Sequence, residues 1–391
     1  MSKKIKIILI GLFLYFLSTG LSFAVFSYVP FLAGKNAINS ASEPKKITNG
    51  TLTFDESLPK TEPCPLNGVM YSEPQRQWWE KHRPLGVMIE NHEEARPQSG
   101  LSSADVIYEA VAEGGITRFL SVFYCQDAGI IGPVRSARTY YLDFISEYGD
   151  DPLYAHVGGA NMAGPADALG QIERYGWDGY NDLNQFSIEF PYFWRDYDRL
   201  GHPVATEHTV YSNTSKLWEF ADKRRGLTNV DKKGNSWDAS FVQYKFKDDI
   251  AFSKRPESQV ADFTFWEDYR AYAVKWDYNK KNNVYLRTNG GAKHTDKDNG
   301  KQLQAKNLVM LFMRESNAND GYENNLHLLY ADKGAGKALV LMDGKQIQGA
   351  WSKIDRTSRT IVKDLSGNEI EFNRGLIWFH VLPVGTNVSV K

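Results

Sequence analysis

Cysteine is scarce in this chain of 391 residues, which holds only Cys64 and Cys125. Neither belongs to a C-x-x-C pair, so nothing supports a cysteine zinc site, and no metal is expected. No cysteine follows the apolar N-terminus closely, which removes the usual route to a bacterial lipid anchor. Charge of one sign is also missing: 46 Lys and Arg stand against 47 Asp and Glu, and the basic residues are scattered. Nucleic acid is therefore not an expected partner. The chain has no repeat of solenoid period and no low-complexity tract. It also lacks G-x-S-x-G, H-E-x-x-H and a P-loop. These absences leave catalysis open and give no reason to expect a cofactor.

What is present begins at the N-terminus. Lys3, Lys4 and Lys6 precede an uncharged stretch from Ile7 to Gly34, and its apolar part, Ile7–Val29, matches the about 20 residues that cross a bilayer. A cleavable signal has a shorter apolar region, so the length favours a retained anchor, although Ser22-Phe23-Ala24 offers a cleavage site. The basic end belongs in the cytoplasm, which leaves the bulk of the chain on the extracytoplasmic side of the cell membrane. In an oxidising compartment Cys64 and Cys125 are expected to pair, with two buried thiols as the alternative.

The order of segments suggests an α/β (α+β) protein: a membrane helix over 1–34, a polar tether over 35–62, a layered α/β domain over 63–250 and a β-rich domain over 251–391. Leu85–Glu90 and Thr117–Tyr124 read as strands, and Leu153–Val157 as another that ends in Gly158-Gly159. Ser102-Ser103-Ala104-Asp105 has the form of a capping box for a helix burying Val106, Ile107, Ala110 and Val111. A further helix is expected after Pro165. Beyond Asp262, short alternating segments separated by turn signals suggest hairpins. Gly334-Ala335-Gly336-Lys337 lacks Walker spacing and is expected to be a hairpin turn. His294, Asp296 and Asp298 do not fit an EF-hand register and are expected in a loop.

One stretch, GIIGPVRSARTYYLDF (129–144), carries a conflict. From Ala137 the apolar residues follow helical spacing, with Ser136 as a natural N-cap. Arg135 and Arg138 would then sit at a helix N-terminus, where a cation is disfavoured by roughly 0.3–1 kcal/mol. Several strand ends add polar residues nearby: Glu90, Asn91 and His92, Arg118, then His156, Gly158, Gly159 and Asn161. Ligands of open α/β sheets bind beyond the carboxyl ends of strands, and paired arginines suit phosphate or carboxylate. Arg118, Arg135, Ser136, Arg138, Glu90, Asn91, His156, Gly158, Gly159 and Asn161 are therefore the candidate anion site. Unpaired arginines in one open cleft would mark a ligand site. Arginines buried against Glu109, Glu113 or Asp143 would mark a structural role.

PLGVMIENHEEARPQSGLSSADVIYEAVAEGGITRFLSVFY, IGPVRSARTYYLDF and YAHVGGAN, with EHTVYSNTSKLW, DGKQIQGAWSKI, GNEIEF and GLIWFHVLPVG further on, resemble the YerB-like family of bacterial lipoproteins. That family is described as a domain of unknown function with separate N- and C-terminal parts. The resemblance runs from about Pro84 to the end of the chain and implies an extracytoplasmic, membrane-tethered protein with no established reaction. The missing lipid-bearing cysteine departs from the family and suggests a peptide anchor in its place.

Three functional readings follow. The first is an envelope or cell-wall-associated binding protein with an anion-accepting cleft. The second is an enzyme acting on a phosphorylated or lipid-linked glycan, since the layout of arginines is loosely similar to that of the LytR-CpsA-Psr phosphotransferases. The third is an adaptor that docks on another envelope protein, with Trp351 and Trp378 as anchors if they are exposed and as core residues otherwise.

Overall fold

Leu85–Glu90 (β1) is buried at every position, which requires that both faces of its sheet be covered. The computed structural model describes residues 45–46 and 51–391, which belong to one compact unit. The expected membrane span Ile7–Val29 lies outside the described residues. Among the described residues no helix is long and apolar enough to cross a membrane.

A ten-stranded mixed sheet organises the unit. In chain order its strands are β1, Val106–Glu113 (β2), Ile116–Phe123 (β3), Leu153–His156 (β4), Asp182–Asn184 (β5), Asn307–Met313 (β6), Gly334–Met342 (β7), Lys345–Lys353 (β8), Ile361–Asp364 (β9) and Ile377–Pro383 (β10). Across the sheet the order is β5-β4-β1-β3-β2-β10-β6-β7-β8-β9. The boundary expected at 250/251 does not separate two sheets. β10, near the end of the chain, lies parallel to both β2 and β6 and joins the two halves.

The expected helix after Ser102 is instead β2, and the β-α-β-α alternation fails there. All but the last residue of β2 are buried, and a fully buried strand loses the alternation that would separate it from a buried helix. Gly114 and Gly115 at φ +54° and +78° turn β2 tightly into β3, a conformation that favours glycine at both positions. Among the described residues the α-helices are short: Glu73–Trp79 (α1), Thr139–Ile145 (α2), Ala168–Arg174 (α3) and Thr214–Phe220 (α4). Asp167 caps α3 by accepting the Gly170 amide at 2.8 Å, so this helix starts three residues beyond Pro165. Residues 334–337 form no turn; they open β7, paired to β8 from Gly334↔Lys353 onward.

Strand alternation sorts the core. Tyr108 and Ala110 of β2 and Phe379 of β10 face one layer, which includes Tyr140, Tyr141 and Phe144 of α2. Ile107, Val111 and Trp378 face the other, toward a second, antiparallel sheet that contributes Phe263, Trp276 and Tyr285. Trp351 and Trp378 are both core residues and supply no exposed docking anchor.

Beneath the second sheet lies a fully buried ion pair. Arg287 Nη2 donates to Glu109 Oε1 at 2.8 Å. Trp378 Nε1 donates to Glu109 Oε2 and Thr117 Oγ1 donates to Oε1. The guanidinium lies over the Trp378 and Trp276 rings, 4.5 and 5.2 Å from their centroids. Burial works against ionisation of Glu109, yet Arg287 and His380 outweigh it and hold the carboxyl below its ordinary range. The loop with His294, Asp296 and Asp298 is engaged structurally: His294 accepts from Arg287 Nε, Asp296 accepts the Gly100 and Ser102 amides, and Asp298 pairs with Arg199.

Cys64 and Cys125 form a disulfide with Cα atoms 6.0 Å apart. Beside it, Asp105 accepts the Tyr124 and Cys125 amides and the Asn67 side chain. Burial pushes its carboxyl up to about 7 against those donors.

Two outcomes are expected. Arg287→Met, which leaves Glu109 buried without its cation, lowers stability by roughly 3–5 kcal/mol, and adding Glu109→Gln recovers part of that loss in denaturant unfolding. Reducing the Cys64–Cys125 bond lowers unfolding stability by about 2–4 kcal/mol through the freed loop, measured with and without reductant.

Candidate functional site

β1 and β4 pair in parallel only from Leu85↔Leu153 to Val87↔Ala155, and then they separate. The segment Val134–Ala137 fills the gap in extended conformation. Arg135 donates its amide to Met88 O at 2.9 Å and accepts from Val157 N at 3.0 Å, and Ala137 donates to Gly158 O. The helix expected from Ser136 starts only at Thr139. Arg138 holds the N-cap position in β conformation without a side-chain cap bond. Arg135 therefore lies in an extended segment and Arg138 at its end, where α2 begins. Only Arg138 thus stands at a helix N-terminus, and there the Glu113 carboxylate offsets its charge.

The arginines are paired: Arg118 and Arg138, buried against Glu113, meet the criterion for a structural role, while Arg135, bound to Glu90, stays partly exposed. Arg118 Nη2 donates to Glu113 Oε1 at 2.9 Å and Nη1 donates to Ser136 O at 2.7 Å. Arg138 Nη2 pairs with the other Glu113 oxygen, so one carboxylate serves two guanidiniums. Arg135 Nε donates to Glu90 Oε1 at 3.1 Å, and Glu90 Oε2 meets His208 Nδ1 at 2.8 Å. Burial opposes ionisation of Glu90, but His208 and Arg135 prevail and hold its carboxyl low. The same hydrogen bond raises His208. Three guanidiniums thus face two carboxylates, and a net positive charge is left over. Arg138 is buried, which lowers its affinity for the proton, and its Nε has no hydrogen-bond partner.

Arg135, Ser136, Arg138, Gly159 and Asn161 line one cavity of about 260 Å³, together with Glu113, Ala160, Tyr322 and His327. Arg118 and Glu90 do not line it; they hold the lining residues from behind. The other candidates are placed elsewhere. Asn91 donates to Thr117 Oγ1 and accepts from Arg96, Gln98 and Asn289, a structural junction. His156 is fully buried between Asp182 Oδ1 and Gly158 O, each at 2.6 Å. Gly158, at φ +57°, faces Phe186, which an added Cβ would strike at 2.9 Å.

Tyr322 and His327 were not legible as site residues. They come from the far half of the chain, where the His327 ring stacks on Tyr322 at 4.0 Å and its Nδ1 meets Asp320 at 2.7 Å. Glu113 carried a signal, since it immediately precedes the Gly114-Gly115 turn that swings the β2–β3 hairpin end toward the arginines.

With this geometry in hand, two family models match the chain: Protein of unknown function (DUF3048) N-terminal domain over residues 68–228, and its C-terminal domain over residues 262–379. The chain belongs to the DUF3048 family. A relative described as "Putative lipoprotein YerB" from Bacillus subtilis (strain 168) is 28% identical over 304 residues, which cover 78% of this chain and 82% of the relative. The crystal structure of the YerB protein from Bacillus subtilis is similar in fold. Its TM-score is 0.67 at 24% identity, covering 84% of this chain and 99% of that one. The family supplies the mixed, strand-rich α+β fold and assigns no activity.

The sharing of Glu113 sets an order of stability among substitutions. Glu113→Ala leaves two buried guanidiniums facing each other and is expected to cost roughly 3–5 kcal/mol. Arg138→Ala leaves Glu113 still bound to Arg118 and costs clearly less. Paired denaturant melts of the two variants check that order.

Proposed function

We propose that this protein is a membrane-tethered extracytoplasmic binding protein of the cell envelope that accepts a phosphate- or carboxylate-bearing ligand in the Arg135–Arg138 cavity. One observation carries the reading: Arg135 and Arg138 line one cavity beside which three guanidiniums face only two carboxylates, so positive charge is left for an anion. Arg135 keeps 24% of its side chain exposed and gives the ligand a reachable partner. Ser136, Asn161 and His327 add polar groups around the opening.

The placement rests on the basic N-terminus, the apolar run Ile7–Val29 and the printed name of the Bacillus subtilis relative. The disulfide suits an oxidising compartment. The membrane is thus a partner through the N-terminal segment, and the anion is an envelope component.

Thermal shift and calorimetric titration with inorganic phosphate and pyrophosphate test the cavity. Wild type is expected to bind at least one of them. Arg138→Ala is expected to lose about tenfold to hundredfold in affinity, corresponding to roughly 1.5–3 kcal/mol for a charge-assisted bond. Absence of binding to either anion, or binding unchanged in Arg138→Ala, rejects the reading.

A further inference from the structure

Glu90 has a second neighbour that the anion cavity does not use. His208 Nδ1 lies 2.8 Å from Glu90 Oε2, which leaves Nε2 to face away, 3.6 Å from Glu94 Oε2. The His92 ring lies nearly parallel to that of His208, with centroids 4.7 Å apart. One donor atom from each of His92, Glu94 and His208 falls within 4.8 Å of the others. We propose that these three side chains form a binding site for a single divalent transition-metal ion, with Zn²⁺ as the fitting ion. The site is independent of the anion reading.

The chemistry of the set supports it. Two imidazoles and one carboxylate suit zinc and leave a fourth position open for water or another ligand; calcium and magnesium prefer sets made of oxygen alone. A metal-binding histidine usually has its other ring nitrogen held by a carboxylate, which sets the tautomer and orients the lone pair. Glu90 stands in that relation to His208 and is itself held by Arg135. Glu90 thereby also compensates the cation next to the proposed metal.

The backbone brings the ligands from two elements. His92 and Glu94 belong to the turn that follows β1, where His92 precedes the 3₁₀ turn Glu93–Ala95. His208 ends a separate 3₁₀ turn, Thr206–His208, and is buried. His92 is half-buried and Glu94 is 56% exposed on its side chain, so the site opens to solvent on their side. Ligands about 2.0–2.1 Å from a tetrahedral zinc lie about 3.3 Å from one another. Closing from 4.8 Å requires His92 to turn edge-on, releasing the 3.3 Å bond its Nδ1 accepts from the Glu94 amide, and Glu94 to draw in. His208 stays as the anchor.

The test uses the full-length, untagged chain in detergent, stripped with a chelator and dialysed against Zn²⁺, with Co²⁺ as a spectroscopic substitute. One equivalent of Zn²⁺ is expected, together with the strong visible absorption of tetrahedral Co²⁺. His92→Gln and His208→Gln should each weaken uptake at least tenfold. Glu90→Gln, which changes no ligand, should weaken it by roughly 10–100-fold. His202→Gln, an exposed histidine outside the cluster, should leave it unchanged. Circular dichroism verifies folding, and if His208→Gln does not fold, the half-buried His92→Gln decides alone. No uptake, uptake unaffected by His92→Gln, or only the weak octahedral Co²⁺ spectrum overturns the proposal.

Discussion

The Arg287–Glu109 pair holds the two halves of this protein in one arrangement. Glu109 lies on β2 in the first half and Arg287 on a strand of the second sheet, and both are fully buried. A charge removed from water needs nearly complete compensation, and here it comes from several elements at once. Trp378 of β10 donates to Glu109, while Trp276 donates to His380, whose Nδ1 lies 3.2 Å from the same carboxylate. From Arg287 the polar chain continues through His294 and Gln98 to the backbone of Glu90. The core under the second sheet therefore connects with the end of β1, where the candidate site begins.

That site depends on the separation of β1 and β4. If the two strands had stayed paired, no gap would exist for Val134–Ala137, and Arg135 would not face Glu90. Because the inserted segment is extended, its neighbours alternate in direction. Arg135 reaches Glu90, while the Ser136 carbonyl accepts Arg118. The hairpin turn after Glu113 then places one carboxylate between Arg118 and Arg138. The arginines are organised by carboxylates first, and the surplus positive charge follows from the count of three against two.

Some of this was legible in the sequence because it depends on local chemistry. β1, β3 and β4 were legible as apolar runs bounded by turn residues, and the hairpin-rich second half as alternation broken by Asp-Gly and Ser-Gly. The clustering of Arg135, Ser136, Arg138, Gly159 and Asn161 followed from their places at neighbouring strand ends. β2 was not legible as a strand, because full burial on both faces removes the period that distinguishes strand from helix. Tyr322 and His327 had no local signal at all, since nothing in their own neighbourhood points to residues nearly two hundred positions earlier.

The sequence by itself determined which segments are apolar, where several of the turns fall, that two cysteines were available to pair, and that basic groups gather near residue 135. Each of these is a property of a few adjacent side chains. Only the tertiary structure decided that β10 would close one sheet from both halves, that Glu113 would serve two arginines, and that Glu90 would stand between Arg135 and His208. These are matters of long-range register and of where a buried charge finds its partner. They are decided by the packing of the whole core, which no short stretch of chain contains.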